Sequence, residues 1–201
     1  MAVFLTSDLH LGHANIIAYT GRPCATVEVM NAALVERWCE TVGDADEVWI
    51  LCDLAMGRIA ESLAPVASLP GRKILVPGNH DRCWTGHRKG VERWRTEYLA
   101  AGIEQIVDAP ARLGLTEGVA VSLDHFPYAG DSRDEPDRYL EHRPVDRGGW
   151  LAHGHVHNAW RQRGRQINVG VDAWAGRPVS AETIASLIAA GPADLEPLRW
   201  S

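Results

Sequence analysis

Five short clusters of Asp, Asn and His punctuate this chain, and each stands directly after an apolar run of strand length. Asp8-Leu9-His10 follows residues 3–6, Cys52-Asp53 follows 47–51, and Gly78-Asn79-His80-Asp81 follows 73–76. His125 follows residues 119–123, and Gly154-His155-Val156-His157 follows 150–152. Apolar runs this short, bounded by Gly, Pro, Asn or Asp, read as buried strands. Loops at the carboxyl ends of strands are where sheet proteins assemble their sites. The chain is therefore expected to fold around sheet structure that presents its polar clusters at strand ends.

Helical signals lie between these strands. Thr26 is placed to cap a helix running to about residue 42, with Val27, Met30, Leu34, Trp38 and Val42 on one face. A weaker helix is expected over 59–69, interrupted by Pro65, and another over 91–101 with Gly102 as its stop. Further on, residues 103–107 and 112–115 read as short strands, and 159–162 and 166–169 flank a turn at Arg163-Gly164. Ser180 is placed to cap a last helix to about residue 190, ended by Gly191-Pro192. The first half thus alternates β and α and the second half is mostly β, which implies layered sheet with helices outside. Residues 129–149 are polar, rich in Arg and Asp and without periodicity. A loop this long inside a domain is usually functional or mobile.

Composition narrows the class. The 201 residues are read as a single domain spanning 1–201. With 46% hydrophobic and 23% charged residues the chain is an ordinary globular sequence, which excludes intrinsic disorder and collagen-like repeats. No apolar run approaches the ~18 residues that a membrane span needs. The opening MAVFLTSDLH has no basic segment and no small-residue cleavage site, so a signal peptide is not expected and the cytoplasm is the default compartment. A net charge of -6 argues against a duplex nucleic-acid partner held by many phosphate contacts. Cys24, Cys39, Cys52 and Cys83 have irregular spacing without a CxxC pair, and are read as reduced thiols.

The clusters carry the chemistry. Asp, His and Asn together offer oxygen and nitrogen ligands that suit Mn, Fe, Zn, Ni or Co. They suit neither an all-oxygen calcium cage nor a thiolate zinc site. In Asp8-x-His10 and His155-x-His157, an extended two-residue step leaves both side chains on the same side of the chain, so each pair can enter one cavity. Each motif alone is weak. All five in this order have no comparable bland explanation.

The order DxH, then xD, then GNHD, then a lone His, then GHxH resembles the calcineurin-like metallophosphoesterase superfamily, over Asp8 through His157. The stretches SDLHLGHANII, HFPY, HGHVH and INVGVD resemble its small single-domain branch. The resemblance implies a four-layer αββα sandwich of two mixed β-sheets flanked by helices, with two divalent metal ions, manganese first among the candidates. It implies that Asp8, His10 and His157 hold one metal, that Asn79, His125 and His155 hold the second, and that Asp53 bridges them. His80 is then the non-ligand histidine that stabilises the transition state or protonates the leaving oxygen. The implied activity is hydrolysis of small phosphomonoesters or phosphodiesters, nucleotides among them, by a hydroxide bridging the metals. The superfamily's second motif usually reads Gly-Asp, so Cys52 is a departure that is expected to shift Asp53 slightly or to make the site sensitive to oxidation.

Selectivity needs further residues. Arg133, Arg138 and Arg143 in the long loop offer forks for phosphate oxygens, although a solvated charged loop explains them equally well. His13 and Asn15 are placed to touch a phosphate, with Asn15 alternatively a helix cap. Phe126 and Tyr128 are candidates to stack a base or line a leaving-group pocket. Two other readings stay open: a nuclease acting on single-stranded or hairpin nucleic acid, and a non-catalytic scaffold that keeps the metal pocket. Nothing in these motifs sets an oligomeric state.

Overall fold

Alternation along the first three strands decides which faces the central sheet buries. In β1 (Val3–Thr6), β2 (Glu47–Leu51) and β3 (Arg72–Val76), Val48, Ile50 and Leu75 enter one apolar cluster, while Leu5, Leu51 and Val76 enter another. Side chains in strands alternate with period two, so this sheet is apolar on both faces and must be covered on both. The computed structural model describes residues 1–116, 118–132 and 136–200.

The first sheet has the order β10-β1-β2-β3-β4, with β4 at Gln105–Ile106 and β10 at Val179–Ser180. Strands β1 to β4 are parallel, and β10 runs antiparallel to β1. The second sheet comprises β5 (Ala111–Thr116), β6 (Val119–Leu123), β7 (Leu151–His153), β8 (Gln162–Gly164), β9 (Gln166–Asn168) and β11 (Ala193–Leu195). Its order is β11-β8-β9-β7-β6-β5, with β6, β7 and β9 parallel and the other pairs antiparallel. Both sheets are mixed, and they stack into the expected α/β sandwich. Leu113, Val121, Leu123, Ala152 and Ile167 meet Leu5, Leu51 and Val76 between them.

Helices α1 (Ala14–Thr20), α2 (Val27–Thr41), α3 (Ile59–Leu63) and α4 (Val91–Ala100) cover the other face of the first sheet with Ile16, Met30, Leu34, Trp38, Leu63 and Tyr98. The α2 register is the one its spacing predicts, and Thr26 Oγ1 accepts a hydrogen bond from Val29 N at 3.3 Å. Helix α5 (Ala181–Ala190) places Ala181 and Ile184 in the cluster between the sheets, capped by Ser180 Oγ on Thr183 N. Among the described residues no helix is long and apolar enough to cross a membrane.

Several details differ from the sequence reading, among them the turn expected at Arg163-Gly164, which falls inside strand β8. Residues 59–69 form α3 and then a 3₁₀ turn, Ala64–Ser68, because Pro65 has no N–H with which to continue the α-helical ladder. Helix α1 is not capped by Asn15, which lies inside it: His13 sits at its N-cap without a side-chain hydrogen bond. Strands β10 and β11 are two and three residues long, too short for a periodicity to register.

The long loop starts against the second sheet at Ala129, while its Ser132 and Arg138 reach the side where His10 and His157 stand. Ala129 N donates to Gln166 Oε1 at 3.1 Å, and Gln166 points away from its inward neighbour Ile167.

Candidate metal centre

Five parallel strands, β1, β2, β3, β6 and β7, end on the same side of the sandwich, and their following turns converge. The convergence does not use extended chain. Asp8, His10, Asp53, His155 and His157 have φ of 56°, 52°, 64°, 70° and 50°, and among the described residues only Tyr139 and Ala175 join them as non-glycines with positive φ. Left-handed backbone is rare and strained outside glycine, and it clusters at functional sites. The expected extended step in Asp8-x-His10 and His155-x-His157 is therefore corrected: the pairs do meet, but through left-handed turns that swing each side chain inward.

Glycines make room for this. A Cβ at Gly154 would lie 1.9 Å from Ser7 Oγ and 2.6 Å from Asp8 Oδ2, and one at Gly78 would lie 2.4 Å from Asp53 Oδ1. Backbone approaches the carboxylates where a side chain could not.

Two trios of ligand atoms result, each within 4.8 Å: Asp8 with His10 and His157, and Asp8 with Asp53 and His125. His10 Nε2 lies 3.9 Å from both Asp8 Oδ1 and Asp53 Oδ2, His157 Nδ1 lies 4.0 Å from Asp8 Oδ1, and His125 Nε2 lies 3.5 Å from Asp53 Oδ2. Among the described residues, His10 Nε2 and His157 Nδ1 are buried and have no partner at hydrogen-bond distance, Asp172 Oδ2 standing 3.6 Å from the latter. Buried nitrogens are nearly always satisfied, and two orphans aimed at one carboxylate fit a cation between them. Both carboxylates are buried as well. Burial raises Asp8 above the usual carboxylate range, pushes Asp53 up to about 7 and lowers His10 well below the usual imidazole value. At His157 burial is outweighed by Asp172 and Asp8, which raise the imidazole until a cation takes the proton's place. A divalent cation would supply the missing countercharge, and neutral imidazoles are the form that ligates. The donor set fits a metal.

Asn79 and His155 stand beside the second trio with partners of their own. Asn79 Oδ1 is 3.1 Å from His125 Nε2, and His155 Nε2 is 3.2 Å from Asp131 Oδ2. His80 stands outside both trios at the rim. Its Nε2 is 4.0 Å from Asp53 Oδ2, its side chain is 43% exposed, and its backbone N–H donates to Asp53 Oδ1 at 2.8 Å.

Supporting side chains complete the site. Asp81 accepts hydrogen bonds from the amides of Asp53, Leu54 and Gly78 and from the Tyr98 hydroxyl, which locks the turns after β2 and β3 together. Arg22 donates to the carbonyls of Asp8 and Leu9 and to both oxygens of Asp172. Asp172 Oδ2 in turn lies 3.6 Å from His157 Nδ1. Asp131 accepts from His155, Arg138 and Ser132. Burial opposes its charge, yet these donors hold its carboxyl far below the usual range. None of these residues was singled out in the sequence for such a role, because their partners are distant in the chain. The INVGVD stretch, which contains Asp172, was the only signal toward it.

The substrate candidates divide. His13 and Arg138 line a cavity of about 450 Å³ together with His10, His80, Met56 and His157. Asn15 is an exposed residue inside α1, neither a cap nor part of that cavity. Arg143 is also corrected: its guanidinium is buried, bound to the carbonyls of Pro127, Gly130 and Arg138 and to Asp131, so it pins the loop and has no fork left for a phosphate. Tyr128 does not line the cavity, and its charged neighbours are Asp146, Arg165 and Asp124. Phe126 is buried, its ring 5.0 Å from those of His125 and His155. Arg133 lies outside the described residues. Cys52 is fully buried, and burial beside Asp81 and Asp53 pushes its thiol well up, so it holds no reactive thiolate.

The chain aligns with the Gene 66 protein of Mycobacterium phage L5 at 35% identity over 201 residues, covering 92% of this chain and 93% of the relative. It belongs to the family of these phage proteins. The Gene 66 protein of Mycobacterium phage D29 is 38% identical over 183 residues, covering 86% of this chain and 88% of its own. An uncharacterized protein of Methanocaldococcus jannaschii is 29% identical over 199 residues, covering 94% of this chain and 92% of its own. Among solved structures, a protein of unknown function from Aquifex aeolicus matches with a TM-score of 0.69 and 25% identity, over 92% of this chain and 98% of that one. No known family profile matches the chain.

Proposed function

We propose that this protein is a phosphoester hydrolase of the calcineurin-like metallophosphoesterase type, working with two divalent transition-metal ions. The observation that carries the proposal is the pair of orphaned buried nitrogens, His10 Nε2 and His157 Nδ1, facing a carboxylate that is shared with a second trio. Asp8, His10 and His157 would hold one ion; Asp53 and His125, with Asn79 and His155 beside them, would hold the other. Bound there, the ions supply Lewis-acid charge to a phosphoryl oxygen and lower the pKa of water in the cavity.

The chain's own groups do the rest. The half-exposed His80 reaches the cavity from its rim, where Nε2 can hold a proton for the departing oxygen. His13 and Arg138 border the same cavity. The Arg138 fork is held on Asp131, and burial lowers the His13 imidazole toward its neutral form, so that His13 serves as a neutral hydrogen-bonding group there. The buried Arg22–Asp172 pair keeps the Asp8 turn from moving as charge enters.

The test is a rate measurement on paired aryl phosphates, one monoester and one diester, after metal stripping and manganese reconstitution. Manganese-dependent turnover that is lost in Asp53→Asn supports the proposal. Two ions bound with no turnover on either ester, or on a panel of nucleotides, would leave the scaffold reading.

A further inference from the structure

A second cavity adjoins the metal centre, and it is basic. It measures about 560 Å³ and is lined by Asn79, His80, Arg82, His87, Arg88, Lys89 and Trp94. A cleft of this size holds a group as large as a nucleotide. Asn79 and His80 belong to the metal centre, so the two cavities share a wall. Between residues 82 and 95 the chain carries Arg82, Arg88, Lys89, Arg93 and Arg95 against a single carboxylate, Glu92, in a protein whose net charge is -6. Arg95 is paired with Asp108. Arg82, Arg88 and Lys89 make no ion pair or hydrogen bond among the described residues.

The cations are presented on an anchored turn. Cys83 is fully buried in the core, and the Trp84 ring packs 4.7 Å from His142, 5.8 Å from Phe126 and 6.2 Å from Tyr139. Arg82 before this anchor and Arg88 and Lys89 after it are left exposed. On the cleft lining, the Arg82 guanidinium already lies over the Trp94 ring at 5.0 Å from its centroid, and Arg93, outside the lining, stands 5.7 Å from the same ring. A base stacking there would have to displace them, whereas a phosphate would meet them directly.

We propose that this cleft binds a second phosphate group of the substrate, so that the protein selects phosphoesters carrying a further phosphate one cleft away from the reacting one. The proposal rests on the phosphoesterase reading for the word substrate, but the anion site stands on its own residues. Two sources share this chemistry: a nucleoside polyphosphate, and an oligonucleotide with a terminal phosphate.

The test begins with calorimetric binding to the metal-free protein, which separates the cleft from turnover. The probes are inorganic tripolyphosphate, adenosine triphosphate, and a short oligothymidylate with and without a 5′-phosphate. Wild type is compared with Arg82→Ser, with Arg88→Ser/Lys89→Ser and with Lys89→Arg. Each lost charge-assisted contact is expected to weaken tripolyphosphate about tenfold, with Lys89→Arg near wild type. The better-bound of adenosine triphosphate and the phosphorylated oligonucleotide identifies the source. Equal affinity in wild type and the serine variants, all folded by circular dichroism, overturns the proposal. In the manganese-loaded protein, the serine variants should raise KM for the doubly phosphorylated substrate and leave a simple aryl phosphate unchanged. Binding that tracks the variants without any turnover would keep the anion site and reject the phosphoesterase reading. Turnover of aryl phosphate with unaltered selectivity would do the reverse.

Discussion

Arg22 and Asp172, 150 positions apart, form a two-point ion pair at 2.8 and 2.9 Å with both side chains buried. The same guanidinium holds the Asp8 and Leu9 carbonyls, so one side chain joins the first polar cluster to the turn after β9. Removing one partner of a buried pair strands the other charge and costs ~3–5 kcal/mol. Arg22→Met is therefore expected to lower the unfolding midpoint by roughly 6–20 °C in a chain of this length. Lysine cannot reproduce the fork, so Arg22→Lys should recover less than half of the loss. Thermal unfolding followed by circular dichroism checks both.

The pair also sets an acid limit. Burial opposes Asp172's charge, but Arg22 and His157 hold its carboxyl down at about 2, against 3.8 for a free carboxylate. A depressed pKa contributes stability that is present above the unfolded value and lost as pH falls through the folded one. Metal-free protein should thus lose on the order of 2 kcal/mol between about pH 4 and pH 2 through this residue. Urea midpoints across that range should fall for wild type, and Asp172→Asn should flatten that part of the curve.

Gly154 admits no side chain. A methyl group there meets Ser7 Oγ, Asp8 Oδ2 and the Leu51 carbonyl, all closer than 3 Å. Gly154→Ala is expected to lower manganese affinity at least about tenfold by displacing Asp8. Gly164, which unlike Gly154 sits at positive φ but has open space around it, is the control: Gly164→Ala should cost only ~1–2 kcal/mol and leave metal content alone. Metal analysis after dialysis, beside a melting curve, separates the two.

His80→Ala should lower turnover roughly 10²–10⁴-fold with metal content unchanged, since the ring stands outside both ligand trios. A parallel fall in metal content would make His80 a ligand instead.

The cysteines offer a test free of any assumption about activity. Cys39 is exposed, whereas Cys52 and Cys83 are buried, with the Cys52 thiol pushed well up by its surroundings. A thiol reagent at neutral pH should modify Cys39 in the folded protein and reach Cys52 and Cys83 only after unfolding. Rapid labelling of Cys52 in the native state would restore the oxidation-sensitive reading of its place before Asp53.

The polar clusters and the α2 stripe were legible because each depends on residue type at short spacing, which a linear chain displays. Arg22, Asp172 and Asp131 were not, since an arginine's partner is chosen by the fold and not by its neighbours. Arg143 and Asn15 show the converse. Asn15 follows the first motif and Arg143 lies in the loop between the last two, but Arg143 turns into its own loop and Asn15 faces solvent from α1. The backbone sign at Asp8 and His157 was equally hidden, because both are ordinary residues whose left-handed turns are imposed from outside.

That imposition links the site to the native state. Five ligand candidates occupy a conformation that an unfolded chain seldom samples, so the array exists only once the sandwich has closed around it. An ion gripped there would have almost no counterpart site in the unfolded ensemble. Its affinity would then be expressed as resistance to melting, rising with the logarithm of free metal.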